Sequence, residues 1–229
     1  MSEGSIRVVA FGDAAVLVVV GERLEPAVTR RVHEVARAIG RATNGEPGWW
    51  TPVPGAASVL VPVDPLDPGV PVALTRLREL TRTLDEQPPG GAAGATPTAA
   101  PIVELPTRYG GIDGPDLEAV ARLHGLDVGE VVALHASTEY EVQFLGFAPG
   151  FAYLGPLPEA IATARHTTPR TKVAAGSVGI AGRQTGVYPF ESPGGWQIIG
   201  RTDVRLFDVS RDPPALLVPG TTVRFVPLD

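Results

Sequence analysis

Seven polar or cationic side chains in one glycine-rich stretch, residues 144–202, are of the types that bind anions, and they lie mostly without acidic neighbours in the sequence. A guanidinium group matches the geometry of carboxylates and phosphates, and the exposed backbone N–H groups of glycine-rich loops add to such a site. We therefore predict an anion-binding cleft, with a solvated basic surface as the alternative. The candidate binding residues are His166, Arg170, Lys172, Ser177, Arg183, Gln184 and Arg201.

Five aromatic side chains in the same stretch are candidates for lining this cleft. Aromatic rings combine a large apolar surface with specific contact geometry, so they suit the wall of a binding site as well as a core. The alternative is that each ring belongs to the core of a β-barrel. The candidates are Phe147, Phe151, Tyr153, Tyr188 and Trp196.

Several catalytic templates do not match the sequence. The segment Gly176-Ser177-Val178-Gly179 lacks the GxSxG spacing of a nucleophile elbow, and glycines 176, 179 and 182 do not form the dinucleotide pattern GxGxxG. No segment matches the phosphate loop GxxxxGK[ST], so the chain has no recognisable nucleotide motif. The catalytic residues stay unassigned.

The four histidines have different expected surroundings. His33 lies off the apolar stripe of its predicted helix and is expected in solvent, whereas His124 faces the core. His135 ends a helix, where the helix dipole favours the charged imidazole. His166 adjoins the basic cluster and is a candidate for titration near neutral pH. No histidine pair has metal-ligand spacing and the chain has no cysteine, so we predict no metal site.

Composition narrows the classes of partner. The 229 residues are 44% hydrophobic and 19% charged, as in ordinary globular proteins. The net charge of −6 repels a nucleic acid backbone, so no nucleic acid partner is expected. The longest apolar stretch, residues 14–20, is far shorter than the roughly 20 residues that span a bilayer. With neither a signal-like N-terminus nor cysteines, we expect a cytoplasmic protein without a membrane role.

Apolar periodicity predicts a small α/β domain over residues 1–87. Strands are predicted at 6–10, 15–20 and 57–63, with a short additional strand near 49–53, and the first two are expected to be central. Apolar residues at helical spacing predict one helix over 25–42 and a second with Leu74, Leu77, Leu80 and Leu84 on one face. A sheet with helices on one face fits this order.

Residues 88–101 are rich in Pro, Gly and Ala and predict a linker, because they offer no large apolar side chain to a core. The second domain, residues 102–229, begins with a strand at 102–105. A helix follows from Pro115 to Gly125, and a second helix begins at Asp127, where Glu130 completes a capping box. Short apolar segments at 142–145, 178–181, 197–199, 205–209 and 222–226 then predict a sandwich or barrel, which makes the chain α+β overall.

Several long strings, in order along the chain, resemble the KipI family, whose members are also called the B subunit of 5-oxoprolinase (PxpB) or allophanate hydrolase subunit 1. One departure is Ala174, where the family is expected to have proline. The strings are YGG at 109–111, GPDL at 114–117, FAPGFAYL at 147–154, TPR at 168–170, AGSVGIAG at 175–182, QTGVYP at 184–189 and SPGGW at 192–196.

The resemblance implies a C-terminal cyclophilin-like β-barrel after an N-terminal α/β sandwich domain. It also implies a subunit, inactive alone, that with a homologous C subunit and an A subunit uses ATP, with Mg, to open 5-oxo-L-proline to L-glutamate. Phosphorylation of the lactam carbonyl would need cations, which the arginines could supply. The alternative is a regulatory protein that inhibits a sensor histidine kinase, as the KipI name implies. A role in urea or allophanate breakdown ranks lower.

Overall fold

A computed structural model describes residues 6–86 and 102–228. The chain divides into two compact units, Met1–Thr98 and Ala99–Asp229. The division falls inside the predicted linker, whose residues all lie outside the described ranges, so the limits of that linker stay a prediction. In the described part of the chain, no helix is both long and apolar enough to cross a membrane.

The N-terminal unit contains a four-stranded antiparallel sheet. Its strands are β1 (Arg7–Ala10), β2 (Ala15–Val19), β3 (Val53–Pro54) and β4 (Ser58–Pro62), and their order in the sheet is β1-β2-β4-β3. Strand β1 is therefore an edge strand, not a central one as predicted. Val8, Val18 and Val59 are register partners on neighbouring strands, so their side chains lie on the same face of the sheet. All three are buried.

Two amphipathic helices cover this valine-rich face, as the periodicity predicts. They are α1 (Pro26–Thr43) and α2 (Gly69–Asp85). Val32, Val35 and Ile39 of α1 and Leu77 of α2 are fully buried in the same cluster as the strand valines. The prediction that His33 is solvated is wrong: its side chain is buried, because the buried stripe of α1 is wider than the apolar residues alone indicate.

The C-terminal unit is built on a closed seven-stranded barrel, which confirms the predicted α+β class with a β-barrel. The barrel strands are β5 (Val103–Tyr109), β6 (Glu139–Leu145), β7 (Ala152–Gly155), β9 (Ser177–Ala181), β10 (Gln184–Val187), β12 (Gln197–Arg201) and β13 (Thr222–Pro227). Their order around the barrel is β10-β7-β6-β13-β5-β12-β9, and β5 pairs with β13 in parallel.

Two short strands outside the barrel, β8 (Arg170–Val173) and β11 (Ser192–Gly194), pair with each other. The predicted strand at 205–209 is reduced to a single bridge between Phe207 and Ala215. Strand β5 extends to Tyr109, four residues beyond its predicted end.

Helices α3 (Leu117–His124) and α4 (Val128–Ala136) pack on the barrel through Leu117, Val120 and Val131, which belong to its buried cluster. Helix α3 ends at Gly125 with a φ of 67°, and α4 begins with the predicted capping box of Asp127 and Glu130. Helix α3 begins two residues later than predicted, because Pro115 precedes the N-cap residue Asp116.

Candidate functional site

A small polar pocket, which we call the β8 pocket, lies between the loop after β5, strand β8 and the ends of β9 and β12. Its volume is about 170 Å³. Four of the seven polar candidates line it, although they come from three different strands. The lining residues include Arg170, Lys172, Ser177 and Arg201 together with Asp113, Pro115 and Ile198.

Arg170 is the most firmly held cation of the β8 pocket. One terminal nitrogen donates a hydrogen bond to Oδ1 of Asp116 at 2.6 Å, and the other donates to the carbonyl oxygen of Trp196 at 3.4 Å. The Asp116 side chain is only 8% exposed, whereas that of Arg170 is 32% exposed. The guanidinium is therefore fixed on its protein side and open on the other.

Lys172 and Arg201 each have an acidic neighbour as well. The ammonium of Lys172 lies 2.9 Å from a carboxylate oxygen of Glu191, with both side chains mostly in water. Arg201 donates through Nε to the carbonyl oxygen of Ala175 at 3.1 Å, and its Nη1 is 4.0 Å from Asp113. These cations, which lie mostly without acidic neighbours in the sequence, therefore have acidic partners in the folded chain.

Asp113 is itself held by Arg108, a residue of β5. Arg108 donates through Nε to Asp113 at 2.9 Å and makes a two-fold contact with Asp203 at 2.7 and 3.0 Å. The hydrogen bonds that Arg108 donates to Asp203 and Asp113 raise the pKa of Arg108 above its ordinary value, and the bonds to Asp203 lower the pKa of that carboxyl group. This network fixes the acidic rim of the β8 pocket.

Ser177, the first residue of β9, is buried in the wall of the pocket. The preceding Gly176 has a φ of 81°, and a Cβ atom there would overlap the carbonyl oxygen of Thr202. Glycine is therefore required by both conformation and space. The backbone of residues 176–177 is pinned between Tyr188 and Thr202, since Gly176 N–H donates to Tyr188 and Thr202 N–H donates to Gly176.

Three polar candidates do not line the β8 pocket. His166 reaches the second oxygen of Asp116 at 3.3 Å and so contacts the same carboxylate as Arg170. Gln184 donates to Oε1 of Gln143 at 2.9 Å in the barrel wall. Arg183 lies in the exposed turn between β9 and β10.

Most of the aromatic candidates occupy the interior and do not line the β8 pocket. Phe151, Tyr188 and Trp196 are 1–4% exposed and pack with Val173 and Ile198 in one buried cluster. Burial raises the pKa of Tyr188, which suits a packed phenol.

The two remaining aromatic candidates lie elsewhere. Tyr153 is half-buried and stacks on Phe144, with ring centroids 4.4 Å apart. Phe147 is 62% exposed and borders a separate apolar groove of about 590 Å³ with Phe207 and Val218. The polar pocket and the aromatic cluster are therefore neighbouring layers of one structure and do not form a single cleft.

His135 forms a second buried polar group, inside the barrel. The hydroxyl of Thr185 donates to the carbonyl of Gly179, so Nε2 of His135 must donate to Thr185, at 2.9 Å. Its Nδ1 then accepts from the hydroxyl of Tyr109 at 2.7 Å. Burial lowers the pKa of His135 to about 3. The expectation of a charged imidazole at the helix end is wrong, because burial outweighs the dipole.

His124 is partly buried and contacts the hydroxyl of Thr163 at 3.0 Å, as expected for a packed histidine. Within residues 6–86 and 102–228, no group of three or more His, Asp or Glu side chains is arranged to hold a metal ion.

The sequence patterns do not reveal the acidic residues of the site, Asp113 and Asp116. They also do not reveal Arg108, which holds Asp113. The segment Asp113-Gly114-Pro115-Asp116 has the features of a turn before a helix, which hide its role. One signal was available: between Arg165 and Arg201 Glu191 is the sole acidic residue. The cations of that stretch therefore needed partners from elsewhere in the chain.

Comparison with known proteins places this architecture among relatives. The family described as "Carboxyltransferase domain, subdomain C and D" matches residues 6–217. A protein of Bacillus subtilis, named as the B subunit of 5-oxoprolinase, is 40% identical over 218 residues, which cover 94% of this chain and 90% of that protein.

Two further similarities cover less of the other protein. A protein of Escherichia coli with the same name is 60% identical over 126 residues, covering 55% of this chain and 58% of its own length. The crystal structure of TTHA0988 has a TM-score of 0.77 and 34% identity over 94% of this chain, which is 40% of that one. The match thus covers little more than half of the Escherichia coli protein and less than half of TTHA0988.

Proposed function

The chain belongs to the carboxyltransferase C/D domain family, and from that premise we propose that it is the B subunit of an ATP-dependent 5-oxoprolinase, which opens 5-oxo-L-proline to L-glutamate with A and C subunits. The observation that carries the proposal is the near full-length match to the Bacillus subtilis protein of that name. The match includes both units of the chain, so it supports the same role for the whole of it.

The β8 pocket suits a small oxyanion. Three cations, Arg170, Lys172 and Arg201, line this pocket of about 170 Å³ together with one carboxylate, that of Asp113. 5-Oxoproline carries a carboxylate, and activation of its lactam carbonyl by a phosphoryl group develops further negative charge on oxygen. Fixed cations stabilise such charge because they need no reorganisation during the reaction.

The same volume argues against a whole nucleotide in this pocket. Pockets that enclose drug-sized ligands measure about 300–1,000 Å³, well above the value found here. The β8 pocket therefore fits a carboxylate or a single phosphoryl group and is too small to enclose ATP. We assign ATP, and the Mg that would accompany it, to the assembled complex rather than to this pocket.

The two cations of β8 differ in how readily an incoming anion can replace the carboxylate that each of them binds. Lys172 and Glu191 are 70% and 55% exposed, and exposed pairs contribute only about 0–1 kcal/mol. Asp116 is buried and bonded to three groups, so it stays with Arg170. We infer that substrate displaces Glu191 from Lys172 and adds to the open side of Arg170.

Reconstitution with the partner subunits tests the proposal. The chain is co-expressed with C and A subunits, and glutamate is measured with and without ATP and with and without 5-oxo-L-proline. We expect glutamate formation that requires both compounds, and a loss of at least tenfold with Arg170→Ala. Arg122→Ala, an exposed arginine of α3, is the matched control and should keep full activity.

An assembled complex without ATP- and 5-oxoproline-dependent turnover would overturn the proposal. The regulatory alternative makes the opposite prediction, namely that the chain binds and inhibits a sensor histidine kinase and that added A and C subunits give no glutamate.

A further inference from the structure

The carboxylate of Asp116 does not do what its position in the helix suggests. Asp116 is the N-cap residue of α3, where an aspartate ordinarily accepts hydrogen bonds from the first N–H groups of its helix. Here its side chain makes no such bond. Its Oδ2 accepts from the backbone N–H of Ile198 at 2.6 Å and lies 3.3 Å from Nε2 of His166, while Oδ1 accepts from Arg170.

These contacts join three separate parts of the C-terminal unit. Asp116 precedes α3, Arg170 begins β8, and Ile198 belongs to β12, whose carbonyl also accepts from the backbone N–H of Asp116. Asp116 is thus anchored twice to β12, once through its carboxylate, which accepts from Ile198, and once through its own backbone N–H. A rigidly anchored carboxylate fixes whatever cation it binds.

Arg170 is the cation that it fixes. A guanidinium has five N–H donors in one plane, and two nitrogens of Arg170 are engaged by Asp116 and by the carbonyl of Trp196. The plane of the group is then set, and three N–H donors remain on a side chain that is 32% exposed and lines the β8 pocket. A donor fork that is held in place loses less conformational entropy on binding than a free arginine does.

We propose that Asp116 is a positioning residue: it gives up capping α3 in order to hold the Arg170 guanidinium facing the β8 pocket, where the remaining N–H groups bind an oxyanion of the substrate. The identity of that oxyanion rests on the proposed function. It is the carboxylate of 5-oxoproline or a phosphoryl oxygen, two sources with the same chemistry of recognition.

A double-mutant cycle in the assembled complex tests whether Asp116 acts through Arg170. Asp116→Asn keeps an acceptor for the Ile198 N–H and removes the charge. We expect it to lower kcat/KM at least tenfold, mainly through KM, and to cause no further loss in an Arg170→Met background. Glu118→Gln removes an exposed carboxylate two residues further along α3 and should leave kcat/KM unchanged.

Two outcomes of this cycle overturn the proposal. One is an unchanged kcat/KM in Asp116→Asn. The other is a loss of the same factor in both backgrounds, since a structural role of Asp116 would not depend on Arg170.

A second readout does not depend on turnover. In the full chain alone, the Nε–Hε resonance of Arg170 is identified by its absence in Arg170→Met and followed by NMR. We expect a rigid guanidinium in the wild type and in Glu118→Gln, and a mobile one in Asp116→Asn. Titration with 5-oxo-L-proline and, separately, with inorganic phosphate identifies the source of the oxyanion by which compound shifts the resonance at lower concentration.

The two readouts separate the two proposals. A wild-type complex without turnover defeats the proposed function, whereas the Arg170 resonance still decides the role of Asp116. Equal mobility of Arg170 in the wild type and in Asp116→Asn overturns positioning, and a resonance that neither anion shifts overturns oxyanion binding. If Asp116→Asn does not fold, mobility of wild-type Arg170 equal to that of the exposed Arg122 overturns the proposal.

Discussion

The ammonium group of Lys172 lies 2.9 Å from the carboxylate of Glu191, and both side chains are largely in water. Two residues earlier on the same strand, Arg170 binds a carboxylate that is almost completely buried. Strand β8 therefore presents one ion pair that water weakens and one that the protein protects. The two pairs should respond differently to substitution.

Lys172→Ala should affect function more than stability. We expect the free energy of unfolding to change by less than about 1 kcal/mol, because exposed ion pairs contribute little. In the assembled complex KM should rise, since the substitution removes a cation from the pocket. Urea unfolding and steady-state kinetics measure the two effects.

Arg82→Ala is the control for Lys172→Ala. It breaks a similarly exposed pair between Arg82 of α2 and Glu86, the C-cap residue of that helix, at 3.0 Å, in the other unit of the chain. Its effect on unfolding should be equally small, and KM should not change. A Lys172→Ala variant with unaltered KM would remove Lys172 from the binding site.

Arg170→Met should destabilise the chain by about 1.5–3 kcal/mol, the usual contribution of a hydrogen bond to a charged group. The substitution preserves much of the apolar volume but leaves the buried Asp116 with only the Ile198 N–H and His166 as partners. Urea unfolding measures the loss, with Arg122→Met as the matched control at an exposed site. A loss no greater than that of the control would contradict a structural pairing of Arg170 with Asp116.

The sequence predicts the regular elements well where one physical pattern dominates. Val32, Val35 and Ile39 recur at helical spacing, and α1 lies where they predict it. Strand β10 was not predicted, because Gln184-Thr185-Gly186-Val187 has neither alternation nor bulky apolar residues, and it forms a strand only because β7 and β9 pair on either side of it.

The candidate site was half predictable for a similar reason. Residue type alone marks Arg170 as an anion binder, but its partner Asp116 is 54 residues away and lies in a turn segment. Phe151 and Trp196 are of residue types that line clefts, yet they are buried in a cluster with Val173 of β8 and Ile198 of β12. Local patterns predict local structure, whereas pairing across the barrel depends on tertiary packing.

Gly176→Ala should lower the free energy of unfolding by more than about 2 kcal/mol. Its φ of 81° already disfavours a side chain by about 1–2 kcal/mol, and the added methyl group would also overlap the backbone of Thr202. Gly182→Ala is the matched control, because Gly182 has a φ of 56° with open space around it, and it should cost only the conformational part. Equal losses in the two variants would contradict the close approach of the backbone at Gly176. Denaturant unfolding of both variants decides the point.

The free energy of unfolding should decrease as the pH is lowered, because of His135. Its pKa is about 3 in the folded chain, against an ordinary value of about 6.5, so between these values the unfolded chain binds one more proton than the folded one. This contribution to stability is complete above pH 6.5 and decreases as the pH falls toward 3, by at most about 1.4 kcal/mol per pH unit. Unfolding by urea at pH 7, 6, 5 and 4.5 measures the slope.

Variants at the two ends of the hydrogen bond between Tyr109 and His135 distinguish the effect of protonating the imidazole from the effect of losing a buried contact. His135→Gln has no imidazole to titrate in either state. The free energy of unfolding should therefore depend less steeply on pH below 6.5, by the amount that corresponds to one bound proton. Tyr109→Phe removes the hydroxyl that donates to Nδ1 at 2.7 Å and should cost about 1–3 kcal/mol at every pH, because a buried acceptor is left without its partner. It should keep the wild-type slope, because the ring is still enclosed by Tyr140 and Phe225. An equal slope in the wild type and His135→Gln would show that the imidazole reaches water in the folded chain, and the neutral, Nε2-protonated form derived from its bonds to Thr185 and Tyr109 would then be wrong.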